Sequence, residues 1–477
     1  MARDDGAGSP PPVPWWVRIV DAISLLLLAV LAWKILTADA RAGIFDYIPR
    51  VRTLFLLYAL VGLAAVRHLA LPRPTAGARL RHGWRRIADA PDWGPAVRAF
   101  LGTRLMVFVV GFFAVITFGL HEPGFVAAAD PLTNLIARFD AGWYGEIALD
   151  GYDRDASFDK QRNIAFFPAM PVLMRVTGPL FGTGRFGLPR EMRMARTLWA
   201  GACVSLLAFL FALWYLMRIG TDLIGRERAE GAVLLLATYP FACFFNAPYT
   251  ESLFLLGAVA ATFHFLRGQW MRAASWGLLV GLTRPNGFLL CVPLAVLALQ
   301  HSRWRGKSTS PAQTIKALGA AVMPVVGMLA FTAYLQALTG VWFAWSKNHA
   351  AWGRSYTGFD PLLHGLGRLS DDGLVKVAAS YPFDVLNTLA AAFAVLMIWP
   401  VARRIGVAWA VYVAIMIFPP MLAGGALSLG RLTSTLFPLF LALAGILPSR
   451  AVPSWAAAFA ILQGLCAALF FTWRELF

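Results

Sequence analysis

Long apolar runs separated by short polar intervals organise this chain from end to end. Runs long enough to cross a bilayer, or nearly so, lie at about 20–37, 53–71, 104–121, 197–217, 230–246, 252–267, 315–337, 384–402, 407–424, 431–447 and 453–471. A crossing helix needs roughly 20 apolar residues. Between 272 and 300 an apolar stretch longer than one span is interrupted by Thr283-Arg-Pro-Asn-Gly287, which predicts two short helices meeting at a polar kink. The proline-punctuated run 164–181 reads as re-entrant or interfacial. The pattern predicts an all-α polytopic membrane protein with about 11–14 transmembrane helices.

Composition agrees. Of 477 residues, 59% are hydrophobic and 14% charged, where soluble domains are roughly a quarter charged. Mean hydropathy is +0.64. The acids and prolines of the first fourteen residues (Asp4, Asp5, Pro10 to Pro12) do not fit a cleavable signal peptide, so the first apolar run is expected to stay as a helix. Four scattered cysteines match neither a zinc spacing nor a disulfide framework. The net charge of +17 is gathered in short loops, which speaks for topology signals and anionic lipid headgroups rather than nucleic acid.

Basic residues orient the chain. Arg73, Arg79, Arg81, Arg85, Arg86, Arg98 and Arg104 mark 72–104 as cytoplasmic, with room for an amphipathic surface helix. Arg267 with Arg272, Arg303 to Lys307, and Arg403 with Arg404 mark further cytoplasmic turns. The outer side then receives 122–163, Asn246 to Glu251, Thr283 to Gly287 and 338–383. Three parts follow: N-terminal helices and a basic loop over 1–103, a central membrane module over 104–300, and C-terminal helices over 301–477 that include the outer loop 338–383.

The candidate chemistry gathers on that outer side. Non-membrane stretches reach only about 30–45 residues, too few for a soluble nucleotide-binding domain of roughly 100 residues. No phosphate-binding glycine loop occurs. A substrate is therefore expected within, or tethered to, the bilayer. Asp140 stands in the first large outer loop beside Arg138, Trp143, Tyr144 and Glu146; it reads as a reactive acid or as a solvated loop acid. Asn163 opens a proline-broken membrane entry, and Tyr249 and Glu251 close a proline-rich hairpin. Arg284 and Asn286 occupy the kink, where an arginine within an apolar run lines a polar cavity or snorkels. His349, Trp352 and Arg354 form an aromatic-basic cluster that also suits an interfacial belt, and Arg431 begins a late helix. Asp153-Arg-Asp155 could hold a divalent cation, but a solvated loop is the better reading, and no metal or other cofactor is called for.

The ordered motifs R-F-D-A-G-W-Y, A-F-F-P-A-M-P, F-F-N-A-P-Y-T-E-S-L-F and G-L-T-R-P-N-G over about 138–290 resemble bacterial relatives of the phosphatidylinositol-glycan class V (PIG-V) mannosyltransferases, polytopic glycosyltransferases of the GT-C class. Weaker echoes run through H-A-A-W-G-R at 349–354 and R-L-T-S-T-L-F-P at 431–438. The resemblance implies a GT-C-like fold with a catalytic first large outer loop, a polyprenyl-phosphate sugar donor, mannose as the sugar, and reaction at the outer face of the cell membrane. It makes Asp140 the catalytic acid or base. The N-terminal ~100 residues depart from it.

The chemistry then needs one carboxylate. Phosphate leaves as a stable anion, so no general acid is required, and Asp140 can take the proton of an acceptor hydroxyl. Arg284, Arg354 and Arg431 are the candidates for the donor phosphate. Arg138, Trp143, Tyr144, Glu146, Asn163, Tyr249, Glu251, Asn286, His349 and Trp352 are the candidate substrate contacts. The acceptor stays open between glycolipid, glycan and protein. A flippase of lipid-linked sugars, or a non-catalytic subunit of a glycosylation complex, would share much of this pattern.

Overall fold

The computed structural model describes residues 14–36, 53–71, 78, 84–85, 89–155, 158–304, 311–356 and 358–476. Among these residues every regular element is helical. They fall into two compact units, Met1–Gly94 and Pro95–Phe477. The boundary expected at 103/104 thus lies inside the helix Trp93–Phe118, and the second unit runs unbroken through 300/301.

The first unit packs the helices Trp15–Leu36 and Thr53–Ala70 together. Asp21 and Arg67, both buried, form an ion pair of 2.9 Å between them. Pairing is what lets opposite charges persist on helices this apolar. Of the expected topology markers, Arg73, Arg79, Arg81, Arg86, Arg305 and Lys307 lie outside the described residues, as do the N-terminal acids and prolines and most of the 72–104 surface helix.

Among the described residues six helices are long and apolar enough to cross a membrane: Trp93–Phe118, Arg190–Ile224, Pro311–Thr339, Pro382–Arg404, Val407–Gly424 and Ser449–Phe471. Arg226–Thr238 and Pro240–Asn246 form a pair bent by 75°, a broken span or a re-entrant loop. Five shorter apolar helices accompany them among the described residues. The chain is a multi-pass membrane protein. The 164–181 run contains a nine-residue helix, Ala169–Thr177, flanked by 3₁₀ turns, too short for a crossing. The outer interval 338–383 is not simply a loop, since it carries the helix Asp360–Ser380, kinked at Gly373.

The bend at Pro240 overturns one reading. Proline removes a donor and pushes Tyr239 into extended backbone (φ −53°, ψ 139°), leaving carbonyls without helical partners. Arg104 supplies them: its guanidinium donates to the Ala237 oxygen (2.7 Å), the Ala242 oxygen (2.5 Å) and Asn246 Oδ1 (2.8 Å). Gln463 Nε2 adds bonds to the Ala237 and Tyr239 oxygens. Arg104 is therefore no loop marker of the cytoplasmic side. It is buried inside a helix and bonded to Asn246, a residue expected on the opposite side.

The predicted kink is present as Trp270–Gly281, the 3₁₀ turn Pro285–Leu290 and Cys291–Trp304. Two glycines make it possible. A Cβ on Gly281 would stand 1.9 Å from the Pro324 oxygen, and one on Gly287 2.2 Å from the Val280 oxygen. Their absence lets the kink fold back and the helix Pro311–Thr339 approach it closely, which presents Arg284 in extended backbone at the turn.

Candidate active site

Asp140 caps the short helix Ala141–Asp150 from a turn under backbone strain. Phe139, just before it, has φ 42°, a conformation costly for a residue with a Cβ. Tyr249 holds the turn: its hydroxyl accepts from the Asp140 N–H (3.1 Å) and donates to the Arg138 oxygen (2.9 Å). Arg138 fastens the same turn from below, donating to the Phe471 oxygen (2.5 Å) and to the Asn134 and Ala137 oxygens (2.7 Å each). Burial pushes its guanidinium down to about 9. Thus Arg138 and Tyr249, read as substrate contacts, are bonded to the backbone that carries Asp140.

On one side Asp140 meets a group of ions drawn from four distant segments. Its Oδ2 accepts from Arg431 Nη1 at 2.6 Å. Arg431 Nε donates to Glu251 Oε1, which also receives Arg284 Nη2 at 3.1 Å. The Arg431 guanidinium lies 4.6 Å from the Tyr249 ring centroid. A short helix, Leu429–Thr433, presents it and is tied down by Asn387 Oδ1, which accepts from the Gly430 N–H at 2.8 Å. Arg354 completes the group, with Nη2 on the Leu427 oxygen at 3.0 Å. Burial, then the charges of Arg431 and Arg284, push Arg354 down to about 10, against the pull of Asp140. Three guanidiniums stand against two carboxylates, so an anion would relieve the crowding of positive charge.

On its other side Asp140 lines a cavity of about 570 Å³. Asp140, Trp143 and Glu146 reach it from one face of their helix, at the spacing of three that a 3.6-residue turn aligns. Trp143 stacks on Phe166 (5.9 Å, 14°) and meets Trp352 edge to face (5.3 Å, 75°). Burial, opposed by Arg190 and reinforced by Asp153 and Asp150, pushes the Glu146 carboxyl upward. Asp140 Oδ1 makes no hydrogen bond among the described residues.

Other predicted residues are placed as supports. Asn163 bridges the Gly151 oxygen and the Asp153 N–H, His349 Nδ1 lies 2.6 Å from the Trp345 oxygen, and the Tyr144 hydroxyl lies 3.5 Å from Thr250 Oγ1. Asn286, half-buried, makes no hydrogen bond among the described residues. Asp155 pairs with Arg162 at 2.7 Å, and no group of three His, Cys, Asp or Glu able to hold a metal occurs among the described residues. Sequence reasoning missed Asn348, whose amide ties the Lys160–Arg162 segment to Trp352, and the cavity residues Gln161 and Arg190. It also missed Tyr412, a lone hydroxyl in an apolar run, where no motif draws attention to it.

The structure is similar to ArnT from Cupriavidus metallidurans bound to undecaprenyl phosphate, at 15% identity over 80% of this chain and 76% of that one, with a TM-score of 0.43. It is also similar to the Archaeoglobus fulgidus oligosaccharyltransferase in complex with Zn and sulfate, at 16% identity, over 77% of this chain and 52% of that one, with a TM-score of 0.35. No curated protein matches the chain. The family model described as mannosyltransferase (PIG-V) matches residues 116–354, which take in Asp140, Glu251, Arg284 and Arg354, and the chain belongs to that family.

Proposed function

We propose that this protein transfers a sugar, mannose by family, from a polyprenyl-phosphate donor to an acceptor hydroxyl at the outer face of the membrane, with inversion and with Asp140 as general base. One observation carries the reading: Asp140 lines a cavity on one side and on the other is bonded to Arg431, which stands in a group with Arg284 and Arg354. The acceptor enters through the cavity, against Trp143 and Trp352. Its hydroxyl oxygen bonds to the anomeric carbon while its proton passes to Asp140 Oδ1. The bond from that carbon to the phosphate oxygen breaks and its electron pair leaves with the phosphate. Arg284 and Arg354, with Arg431 behind them, bind the departing anion. A single displacement turns a β-linked donor into an α-linked product. Nothing in the scheme calls for a metal. The outer-face assignment rests on the basic loops of the other side.

Purified protein in lipid nanodiscs, mixed with radiolabelled polyprenyl-phosphate-mannose and membrane glycolipid extract, tests the reading. A new glycoside that disappears in Asp140→Asn supports it. Translocation of the donor across proteoliposomes without a new glycoside would replace it with a flippase.

A further inference from the structure

Beside Arg284 three buried polar atoms have no hydrogen-bond partner among the described residues: Glu251 Oε2, Arg284 Nη1 and the Tyr412 hydroxyl. Glu251 and Tyr412 are fully buried. Arg284 and Glu251 are joined by one bond only, Nη2 to Oε1. A forked pair would have used both ends of each group; here the second atom of each is left open. Tyr412 comes from the helix Val407–Gly424, which packs on the 3₁₀ turn Pro285–Leu290 that follows Arg284. Buried polar groups without a partner are uncommon and call for an explanation.

Their chemistry restricts that occupant. Two of the atoms belong to donors and one is an acceptor. A phosphodiester oxygen has no proton to give Glu251, and a metal ion would meet the guanidinium. A hydroxyl has one proton to donate and two lone pairs to receive, which matches one carboxylate oxygen and two donors. We propose that Glu251, Arg284 and Tyr412 form a buried subsite that grips one hydroxyl of the transferred sugar, making Glu251 and Tyr412 specificity-determining residues. The proposal rests on the transferase reading above and adds to it the way the sugar is recognised. A site built to bond a hydroxyl discriminates strongly against an analogue that lacks it, because the site's own groups are then left unpaired.

The experiment uses a short-chain polyprenyl-phosphate-mannose and its four monodeoxy analogues, with binding and transfer measured separately on wild type, Tyr412→Phe and Glu251→Gln. One analogue should bind wild type about ten- to a hundredfold more weakly than the others. Tyr412→Phe, which removes only an oxygen, should weaken the parent donor by about fivefold or more and lose its discrimination at that position alone. Equal binding of all four analogues, or a Tyr412→Phe effect that is the same for every donor, overturns the subsite. Transfer without such discrimination leaves the transferase reading standing and removes the subsite. Discriminating binding without transfer does the reverse, and absence of both binding and transfer rejects the two together. Glu251→Gln reports the same loss wherever it folds, but the conclusion rests on Tyr412→Phe.

Discussion

Arg431 Nη1 lies 2.6 Å from Asp140 Oδ2 although 291 residues separate the two in sequence. The same guanidinium bonds Glu251, so one side chain joins two carboxylates that no local motif connects. The site is thus one connected ionic group, and its Asp140 member also lines the cavity. Its behaviour on mutation follows from which member is removed.

Asp140→Asn removes the proton acceptor while keeping the shape and an oxygen for Arg431. Turnover should fall by about a hundred- to ten-thousandfold, with the melting temperature in detergent nearly unchanged. Turnover within a few-fold of wild type would sink the assignment of the base.

Arg431→Ala leaves Glu251 buried with only Arg284 beside it. Breaking a buried ion pair on one side costs about 3–5 kcal/mol, so the variant should melt well below wild type. Arg431→Met combined with Glu251→Gln removes both charges and should recover much of that loss. A double variant as unstable as the sum of the two singles would mean that the pair does not act as a unit.

Arg354 carries its charge against burial and against two neighbouring guanidiniums. Arg354→Gln should therefore disturb the empty protein little. The Michaelis constant for the donor should rise about tenfold or more, since charge-assisted bonds to phosphate are strong. A change confined to the acceptor constant would take Arg354 away from the phosphate.

Glu146 supplies a pH test. Its carboxyl titrates above its ordinary value, with burial as the main cause. The folded state therefore holds that proton more tightly than the unfolded state does. Its contribution to stability is present in full below the unfolded pKa, about 4.5, and is lost as pH rises through the raised value. Glu146→Gln should raise the melting temperature relative to wild type at pH 7.5, and the gain should vanish at pH 4. A gain equal at both values contradicts the direction of the shift.

Arg104→Ala removes donors from two carbonyls at the Pro240 bend and from Asn246. A loss of about 3 kcal/mol or more is expected from the stranded polar groups. Arg104→Lys should rescue little, because one ammonium lacks the planar fork that spans three acceptors. Thermal melts of the two variants check this directly.

Hydrophobic patterning alone established the all-helical membrane class, most helix positions and the kink at Thr283–Gly287, because an apolar run of span length has few alternatives in lipid and proline with glycine breaks a helix wherever it stands. Motif chemistry also singled out Asp140, Glu251, Arg284, Arg354 and Arg431 one by one. Tertiary structure decided which of them meet. Arg138, Arg104 and Tyr249 look like site residues or topology signals in sequence, yet they are bonded to backbone at strained or broken turns, since a carbonyl exposed by a bend attracts whichever donor the fold brings near. Tyr412 carries no signal in its own helix and gains its importance only from lying beside the Arg284 turn. A side chain's type is local information, whereas the partner that satisfies its hydrogen bonds is set by packing between segments hundreds of residues apart.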